Sequence, residues 1–434
     1  MNRSPEAGAT LNDWLGYLEQ QHHSPIDMGL DRVLLVFRRL LPMNWRPRVI
    51  TVAGTNGKGS TVRWLQRMLQ FQGRTSGAYL SPHIDRFNER VLLNGTEATD
   101  QDLICAFTQV EQARGSISLT YFEVATLAAL WLFHRDQVQD LVLEVGLGGR
   151  LDAVNILDPA LAIITSIGLD HTDWLGDDLE SIGYEKAGIL RPGIAAIYGE
   201  TNPPRSVLQQ VAAQKVQLCR WGIDFARESD TDPMELDLHS PAGKSLALTW
   251  PGNQPPATAL VVALQALCLL GQLPDQPLLE HLSHCPALPG RFEQLGKNPT
   301  IIADVGHNPH GAAWLSAELA RRYPSQPVVA VYGALADKDA AGVALALKET
   351  VSHWYLAPLE GSRGRSGESL QTTITRVLSP ATTTPCLSVA EALEQAVARA
   401  GTKGLVLVFG SFLTVAAARQ CLLTQRGTGG KALV

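Results

Sequence analysis

The sequence lacks the features that define several common classes of protein. Its six cysteines lie far apart, with no CxxC pair and no Cys/His run at zinc-ligand spacing, so we expect reduced thiols and no zinc site. No stretch approaches the roughly 18 to 20 apolar residues that a membrane span needs, and the N-terminus has no apolar signal region. These absences predict a cytoplasmic protein with no membrane partner.

Positive charge is also scarce. The chain carries 36 lysines and arginines against 42 aspartates and glutamates, for a formal net charge of −6. It therefore has no broad basic surface for a phosphate backbone, and we expect no nucleic-acid partner, although a few local cations could hold a small anionic substrate. Hydrophobic residues make up 45% of the 434 residues, which is enough to fill the cores of two domains.

Short β-branched runs alternate with segments of helical periodicity, which is the pattern of parallel α/β layers. In the first part of the chain these runs are Arg48–Gly54, Asp140–Gly146, Ala160–Gly168 and Ile194–Gly199. Each run places the residues that follow it at the carboxyl edge of a sheet, where open α/β folds bind ligands.

A break in this alternation marks a domain boundary. The segment His284–Gly296 contains prolines and glycines that do not suit a continuing helix or a central strand. The alternation restarts in the runs Thr300–Gly306, Pro327–Gly333, His353–Leu359 and Leu405–Gly410. We therefore predict a first domain of residues 1–290 and a smaller, doubly wound second domain of residues 291–434.

One segment predicts a phosphate-binding loop. Val49–Thr61 reads VITVAGTNGKGST and has the required order of strand, glycine loop and helix. The glycines let backbone N–H groups approach phosphate oxygens, while the helix N-terminus adds partial positive charge. Lys58, which a purely structural turn would not need, can reach the β and γ phosphates, and Ser60 or Thr61 can ligand Mg²⁺. The candidate ATP-binding residues of the loop are Gly54, Thr55, Asn56, Gly57, Lys58, Gly59, Ser60 and Thr61.

The loop departs from the common P-loop pattern, because only Thr55 and Asn56 separate its first two glycines. This compressed form resembles the Mur ligase superfamily, whose members use ATP to join a carboxylate to an amino acid. AGTNGKGS is similar to the folylpolyglutamate synthase branch, and the resemblance to its bifunctional dihydrofolate synthase members runs from about Asp13 to Ser411. It implies a P-loop ATPase domain with a parallel-type sheet, also binding the pterin, followed by a smaller Rossmann-like α/β domain that binds glutamate.

Acidic, histidine and lysine residues near strand ends are candidates for metal chemistry. Glu144 follows one strand run and His171 another, but taken alone Glu144 would fit a charged strand end equally well, and a lone histidine is more often structural. Lys186, in GYEKAGIL, would be expected to be a solvated charge on a helix surface. The resemblance implies instead that Ser81, Glu144 and His171 ligate Mg²⁺, and that Lys186 is carbamylated to help position it. Lys58, His171 and Lys186 are the implied catalytic residues.

The resemblance also implies contacts to the substrates. The implied substrate-binding residues are Asp27, Asp31, Ser81, Pro82, His83, Phe122 and His307, and the implied nucleotide contacts of the second domain are Arg291 and Asp304. His22–Arg32, HHSPIDMGLDR, resembles the pterin-binding segment of the bifunctional enzymes, but a helix capped at Asp31 would explain it equally well. His307 and Asn308 fit a capped strand-to-helix turn as well as a ligand contact.

One departure concerns the adenine. The family usually has an asparagine in an NAA segment, whereas this chain reads GNQPPATAL. Ala257 has no side-chain hydrogen bond to offer, so Asn253 or backbone groups would take the role.

The implied enzyme is a monomeric, ATP- and Mg²⁺-dependent ligase. It would add L-glutamate to dihydropteroate, forming dihydrofolate, and to reduced folates, forming polyglutamates, through an acyl phosphate. Alternatives are a folylpolyglutamate synthase alone, another Mur-type amino-acid ligase, a P-loop regulatory NTPase and a non-catalytic nucleotide-binding scaffold.

Overall fold

The computed structural model of the chain describes residues 4–6, 8–22, 24, 26–228, 234–240, 245–252, 257–361 and 363–427. The chain forms two compact units. The first comprises Met1–Ile167 and Asp177–Cys285, and the second comprises Gly168–Gly176 and Pro286–Val434. The sequence pattern gave no sign that a short segment from the middle of the chain belongs to the second unit.

An eight-stranded sheet forms the centre of the first unit, in the order β4-β3-β2-β5-β1-β6-β7-β8. Its strands are β1 (Arg48–Ala53), β2 (Ser76–Tyr79), β3 (Val91–Leu93), β4 (Thr96–Glu97), β5 (Asp140–Glu144), β6 (Leu161–Ile164), β7 (Ala195–Tyr198) and β8 (Gln217–Arg220). β3 pairs antiparallel with β2 and β4, and the remaining pairs are parallel. The predicted parallel-type sheet is confirmed, with the four predicted runs forming β1, β5, β6 and β7.

Helices and a small antiparallel sheet complete the first unit. The helices are α1 (Leu11–Glu19), α2 (Asp31–Leu40), α3 (Lys58–Phe71), α4 (Asp100–Arg114), α5 (Tyr121–Arg135), α7 (Leu179–Ala187), α8 (Arg205–Ala213), α9 (Thr258–Leu269) and α10 (Gln276–Ser283), with 3₁₀ turns at Phe87–Arg90 and Ala153–Ile156. The small sheet contains β9 (Ala226–Glu228), β10 (Glu235–His239) and β11 (Ser245–Thr249). No helix among the described residues is both long and apolar enough to cross a membrane.

The strand order brings three loops of the first unit to one edge of the sheet. Val52 of β1 pairs with Glu144 of β5, and Ala53 pairs with Ile164 of β6. Because these strands are parallel neighbours, the segments that follow them leave the sheet side by side. The candidate phosphate loop is therefore flanked by the loop after Glu144 and by the end of β6.

The second unit contains a six-stranded sheet in the order β12-β13-β17-β14-β15-β16. Its strands are β12 (Glu293–Lys297), β13 (Thr300–Asp304), β14 (Val328–Tyr332), β15 (Val351–Leu356), β16 (Thr383–Pro385) and β17 (Leu405–Phe409). Its helices are α6 (Thr172–Leu175), α11 (Pro309–Arg322), α12 (Ala340–Ala346), α13 (Gly367–Ile374), α14 (Val389–Ala400) and α15 (Phe412–Gly427), with a 3₁₀ turn at Pro380–Thr382. Only the β12–β13 pair is antiparallel.

Both faces of this second sheet are buried, as expected for a doubly wound fold. Along β14, Ala330 and Tyr332 lie in the cluster that includes Leu315 of α11, whereas Val329 and Val331 lie in the opposite cluster. Alternate residues therefore pack on opposite layers, which explains why the strand runs are almost continuously apolar.

A buried carboxylate forms ion pairs with arginines at the start of the first sheet. Asp140, at the beginning of β5, is fully buried and pairs with Arg48 of β1 and with Arg74, which precedes β2. The Arg48 Nε to Asp140 Oδ1 distance is 2.5 Å. Because both arginines are only partly exposed, removal of the carboxylate would leave two poorly solvated cations side by side.

We expect Asp140→Ala to lower the free energy of unfolding by about 2–4 kcal/mol, since it leaves the two arginine charges uncompensated. Urea denaturation followed by circular dichroism would measure the change. Asp158→Ala is the matched control, because Asp158 pairs with Arg191 but is 81% exposed, and it should cost less than about 1 kcal/mol. Equal losses in the two variants would contradict this role for Asp140.

Candidate functional site

The loop between β1 and α3 has a backbone that requires glycine at two positions. Gly54 has a φ of 148° and Gly57, which precedes α3, a φ of 86°. A Cβ atom on Gly54 would also lie 1.9 Å from Oγ1 of Thr165. The loop therefore contacts the end of β6 at Gly54, and the helix α3 begins directly after Gly57.

Hydrogen bonds from the end of β6 hold this loop. The carbonyl oxygen of Ser166 accepts the Thr55 N–H (2.8 Å), and its hydroxyl accepts the Asn56 N–H (3.0 Å). Oγ1 of Thr165 donates to the Asn56 carbonyl at 2.6 Å. The N–H groups of Thr55 and Asn56 are therefore already bonded to protein atoms. The N–H groups in the first turn of α3, which no side chain caps, are the ones that can bind an anion.

The polar side chains of the loop differ in what they can bind. Nζ of Lys58 donates to the carbonyl oxygens of Gly54 (2.8 Å) and Thr55 (3.2 Å), so the ammonium is held at the loop. The buried Thr61 hydroxyl donates to the Gly57 carbonyl at 3.0 Å. Of the two hydroxyls proposed for Mg²⁺, that of the partly exposed Ser60 is therefore better placed to bind a ligand.

Glu144 ends β5 and is only 3% exposed. Its Oε2 atom accepts the N–H of Ser81, which follows β2, at 3.0 Å. Two residues predicted from the sequence to ligate a metal are therefore neighbours. The carboxylate of Glu144 and the hydroxyl of Ser81 are oxygen donors, which suit a hard divalent cation.

Lys186 lies in the last turn of α7 and is 4% exposed. The expectation of a solvated lysine on a helix surface is therefore wrong. Arg150, in the loop after β5, donates to Oε1 of Glu185 through Nε (3.0 Å) and Nη2 (2.8 Å). Asn155 Nδ2 donates to the carbonyl oxygens of Arg150 (3.0 Å) and Gly188 (3.1 Å). These bonds fix the end of α7, and hence Lys186, to the loop after β5.

Asp152 organises the loop that follows β5. Its Oδ2 atom accepts the N–H groups of Gly146 (3.0 Å) and Leu147 (2.9 Å), and Oδ1 accepts that of Val154 (3.0 Å). Burial raises the pKa of Asp152 to about 6 in spite of these bonds and of the charge on Lys58. The carboxylate therefore shapes the backbone next to the phosphate loop.

Arg32 forms two ion pairs, one within the N-terminal segment and one to α5. Nη1 of Arg32 lies 2.7 Å from Oδ2 of Asp27, and Nη2 lies 3.0 Å from Oε1 of Glu123. Asp31 is exposed and begins α2, but no side chain caps this helix. The capped-helix alternative is wrong on that point, although an acidic residue in the first turn, as Asp31 is, still favours the helix dipole.

The remaining substrate candidates of the first unit cluster around the ends of β2 and β5. The peptide bond before Pro82 is cis. Phe122 covers Gly146, where a Cβ atom would lie 2.6 Å from Cζ of the ring. His83 accepts a hydrogen bond at Nδ1 from Nε of Arg90 at 2.8 Å. Their loops follow or adjoin β2 and β5, which are parallel neighbours in the sheet.

In the second unit, Asp170 binds four donors. Oδ1 accepts from Nζ of Lys338 (2.6 Å) and from the His171 N–H (2.9 Å), and Oδ2 contacts Nε2 of His307 (3.2 Å) and Nδ2 of Asn308 (3.0 Å). The Asp170 and Lys338 side chains are 8% and 6% exposed. Although burial opposes ionisation, the hydrogen bond from His307 and the nearby charges hold the pKa of Asp170 well below its usual range.

This cluster defines the surroundings of His171 and His307. Nε2 of His171 lies 3.5 Å from Nζ of Lys338 and 3.9 Å from Oδ2 of Asp170. Nδ1 of His307 contacts the Val305 carbonyl at 2.9 Å, so both of its ring nitrogens have protein partners. Asn308 caps α11 by accepting the Gly311 N–H at 2.8 Å, which confirms the capped strand-to-helix turn.

The two nucleotide candidates of the second unit are also neighbours. Asp304 is buried, and its two oxygens accept the N–H groups of Phe292 (2.8 Å) and Gly306 (2.7 Å). Burial raises its pKa. Phe292 has a φ of 47°, which is rare for a bulky residue, so this turn is strained at a candidate site. Arg291 stacks on the Phe412 ring, with Cζ 5.3 Å from the centroid.

Three polar residues of these clusters were missed in the sequence. They are Asp152, Asp170 and Lys338. Asp170 directly precedes His171, and Lys338 follows the predicted run Pro327–Gly333, so position after a strand was an available signal for both. The proposed adenine contact Asn253 lies outside the described residues, as do His23 and Pro25 of the N-terminal segment.

Two family models match the chain. The Mur ligase middle domain matches residues 52–246, and the Mur ligase glutamate ligase domain matches residues 290–412. Dihydrofolate synthase/folylpolyglutamate synthase of Escherichia coli K12 is 43% identical over 99% of this chain and 100% of its own length.

Solved structures give the same result. Escherichia coli FolC in complex with DHPP and ADP superposes with a TM-score of 0.90 at 42% identity, covering 97% of this chain and 100% of that one. A bifunctional folylpolyglutamate synthase/dihydrofolate synthase with Mn, AMPPNP and L-glutamate bound has a TM-score of 0.85 at 40% identity, with the same coverage. The chain therefore belongs to the dihydrofolate synthase/folylpolyglutamate synthase family of Mur ligases.

Proposed function

We propose that this protein is an ATP-dependent ligase that adds L-glutamate to dihydropteroate, forming dihydrofolate, and to reduced folates, forming polyglutamates. The observation that carries the proposal is full-length similarity to an enzyme named for both activities, in a chain that retains the compressed loop around Lys58. The pterin would contact the N-terminal segment, where Arg32 holds Asp27 in place.

In the proposed reaction, the substrate carboxylate attacks the γ-phosphorus of ATP and releases ADP. The amine of glutamate then attacks the resulting acyl phosphate, and phosphate leaves as the amide forms. Lys58 and the first turn of α3 offset the negative charge that spreads over the phosphoryl oxygens. No side chain of the protein needs to act as a nucleophile.

The donors at this edge fit a divalent cation that is shared with phosphate oxygens. The described residues contain no group of three or more His, Cys, Asp and Glu side chains that would enclose a metal. Mg²⁺ typically takes only one or two carboxylates with phosphate oxygens and water, so Glu144, Ser81 and Ser60 would be sufficient protein partners. Such an ion neutralises charge on the transferring phosphoryl group. His171 belongs to the second unit, and its part in metal binding stays a prediction.

The second unit is proposed to hold L-glutamate. The match to a glutamate ligase domain and the relative with L-glutamate bound support this assignment. Arg291 is the proposed nucleotide contact, and Asp304 would act by shaping the turn that carries it, because both of its oxygens already accept backbone N–H groups. His307 as a substrate contact and a monomeric state stay predictions.

We expect Lys58→Ala to lower kcat by about a hundred- to a thousandfold, the usual effect of losing one charge-stabilising donor. The melting temperature should change little, because the Lys58 ammonium donates to carbonyl oxygens of its own loop. ADP release in the presence of dihydropteroate and glutamate measures the activity. Lys348→Ala, which alters a half-exposed lysine, serves as the control. Near-normal turnover in Lys58→Ala would reject the phosphate-loop assignment.

Substrate dependence of ADP release tests the proposed function itself. We expect release to require glutamate together with either dihydropteroate or a reduced folate. Consumption of the reduced folate alone would indicate a monofunctional folylpolyglutamate synthase. Use of a cell-wall nucleotide would indicate another Mur-type ligase. ADP release without glutamate would indicate a regulatory NTPase, and ATP binding without ADP release would indicate a non-catalytic scaffold.

Lys186 is proposed to carry a carbamate that helps to position the metal. The burial of this side chain and the bonds that fix the end of α7 support a role other than solvation. A carbamate would supply an anionic oxygen suited to Mg²⁺, whereas an ammonium would repel the cation.

We expect Lys186→Ala to lower activity on the order of a hundredfold without unfolding the protein, and short carboxylates such as acetate to restore part of it. In the wild-type protein, ¹³C-labelled bicarbonate should give a carbamate resonance that the variant lacks. The absence of this resonance from active wild-type enzyme would rule out the modification.

A further inference from the structure

Arg90 lies at the carboxyl edge of the first sheet but has no role in the chemistry described so far. It is the last residue of the 3₁₀ turn Phe87–Arg90, and the next residue, Val91, pairs with Tyr79 at the end of β2. This places its side chain beside the loop of Ser81 and His83, which are substrate candidates.

The Arg90 guanidinium is held rigidly. Its Cζ atom lies 5.4 Å from the ring centroid of Phe87 and 5.6 Å from that of Tyr121. Its Nε atom donates to Nδ1 of His83 at 2.8 Å. Burial and the charge of Arg90 lower the pKa of His83 to about 4, so the imidazole remains a neutral acceptor at physiological pH. Aromatic stacking and this bond together orient the guanidinium plane.

The outer edge of this guanidinium is unpaired. Among the described residues, the partly exposed Arg90 side chain forms no ion pair with a carboxylate, and its one hydrogen bond is that from Nε to His83. The carboxylate of neighbouring Glu89 instead accepts N–H groups of Ile84, Asp85 and Arg86 at 2.7–2.8 Å. A fixed guanidinium with free Nη groups is a preformed site for one carboxylate.

The charge of Arg90 selects among the carboxylates of the proposed substrates. The reacting carboxylate must lie at the candidate phosphate loop after β1, where it meets ATP. An arginine bound to that reacting group would stabilise its ground state and oppose attack. Arg90 is therefore better suited to a carboxylate that does not react.

We propose that Arg90 binds the non-reacting carboxylate of the terminal glutamate of folate substrates, a group that dihydropteroate lacks. The inference rests on the proposed function, and it makes Arg90 a residue that distinguishes the two substrates. The two Nη groups would donate to the carboxylate oxygens, while the rings of Phe87 and Tyr121 keep the guanidinium in place.

The test compares dihydropteroate with dihydrofolate, which share the pterin and differ by one glutamate. Dissociation constants for both are measured by calorimetry with wild-type protein, Arg90→Gln and Arg90→Lys. We expect Arg90→Gln to weaken dihydrofolate binding about ten- to hundredfold and to change dihydropteroate binding less than about threefold. Arg90→Lys keeps the charge but loses the paired Nη donors, so its dissociation constant for dihydrofolate should lie between those of the wild type and Arg90→Gln.

Arg86→Gln is the matched control, because Arg86 lies in the same turn but is exposed and paired with Glu97 at 2.6 Å. It should bind both ligands as the wild type does. The inference is overturned if Arg90→Gln weakens the binding of both ligands equally, or weakens the binding of neither. If Arg90→Gln does not fold, the same comparison is made with Arg90→Lys. Failure of wild-type protein to bind either ligand would instead count against the proposed function.

Discussion

The contact between the candidate phosphate loop and the end of β6 fixes the position of the loop in the first unit. Thr165 and Ser166 bind three backbone groups of Thr55 and Asn56, so the loop is fixed before any ligand arrives. The direction of α3 and the position of Lys58 follow from that constraint. Gly54 is required mainly because Thr165 approaches so closely. The short spacing between the first two glycines of the loop is thus compatible with hydrogen bonds to the end of the neighbouring strand β6.

Buried carboxylates play a second, shared role in this protein. Asp152, Asp304 and Glu144 each accept backbone N–H groups from a loop at the carboxyl edge of a sheet. An acidic side chain in such a site can therefore define the shape of a loop as well as contact a ligand. Only Glu144 is proposed to bind a metal, and its Oε1 atom is not needed for the bond to Ser81.

Local features of the sequence were sufficient to predict eight strands and the glycine loop between β1 and α3, and they gave the capped turn at Asn308 as one of two alternatives. Each depends on residues within a few positions of one another, such as an apolar run ending in glycine. The pair between Asp170 and Lys338 joins residues 168 positions apart, and no local pattern records it. The burial of Lys186 was missed for the same reason, because it depends on packing between α7 and the distant loop that carries Arg150.

The segment Gly168–Gly176 belongs to the second unit although residues of the first unit precede and follow it in the chain. Its partners, Lys338, His307 and Asn308, all come from the C-terminal part. A fragment that ended at Cys285 would therefore keep Asp170 and lose the three side chains that compensate its charge. The C-terminal part alone would keep the buried Lys338 without Asp170, with Asp337 at 3.5 Å as its remaining acidic partner. Gene fusions or truncations that treat the chain as two consecutive domains would therefore separate Asp170 from these partners.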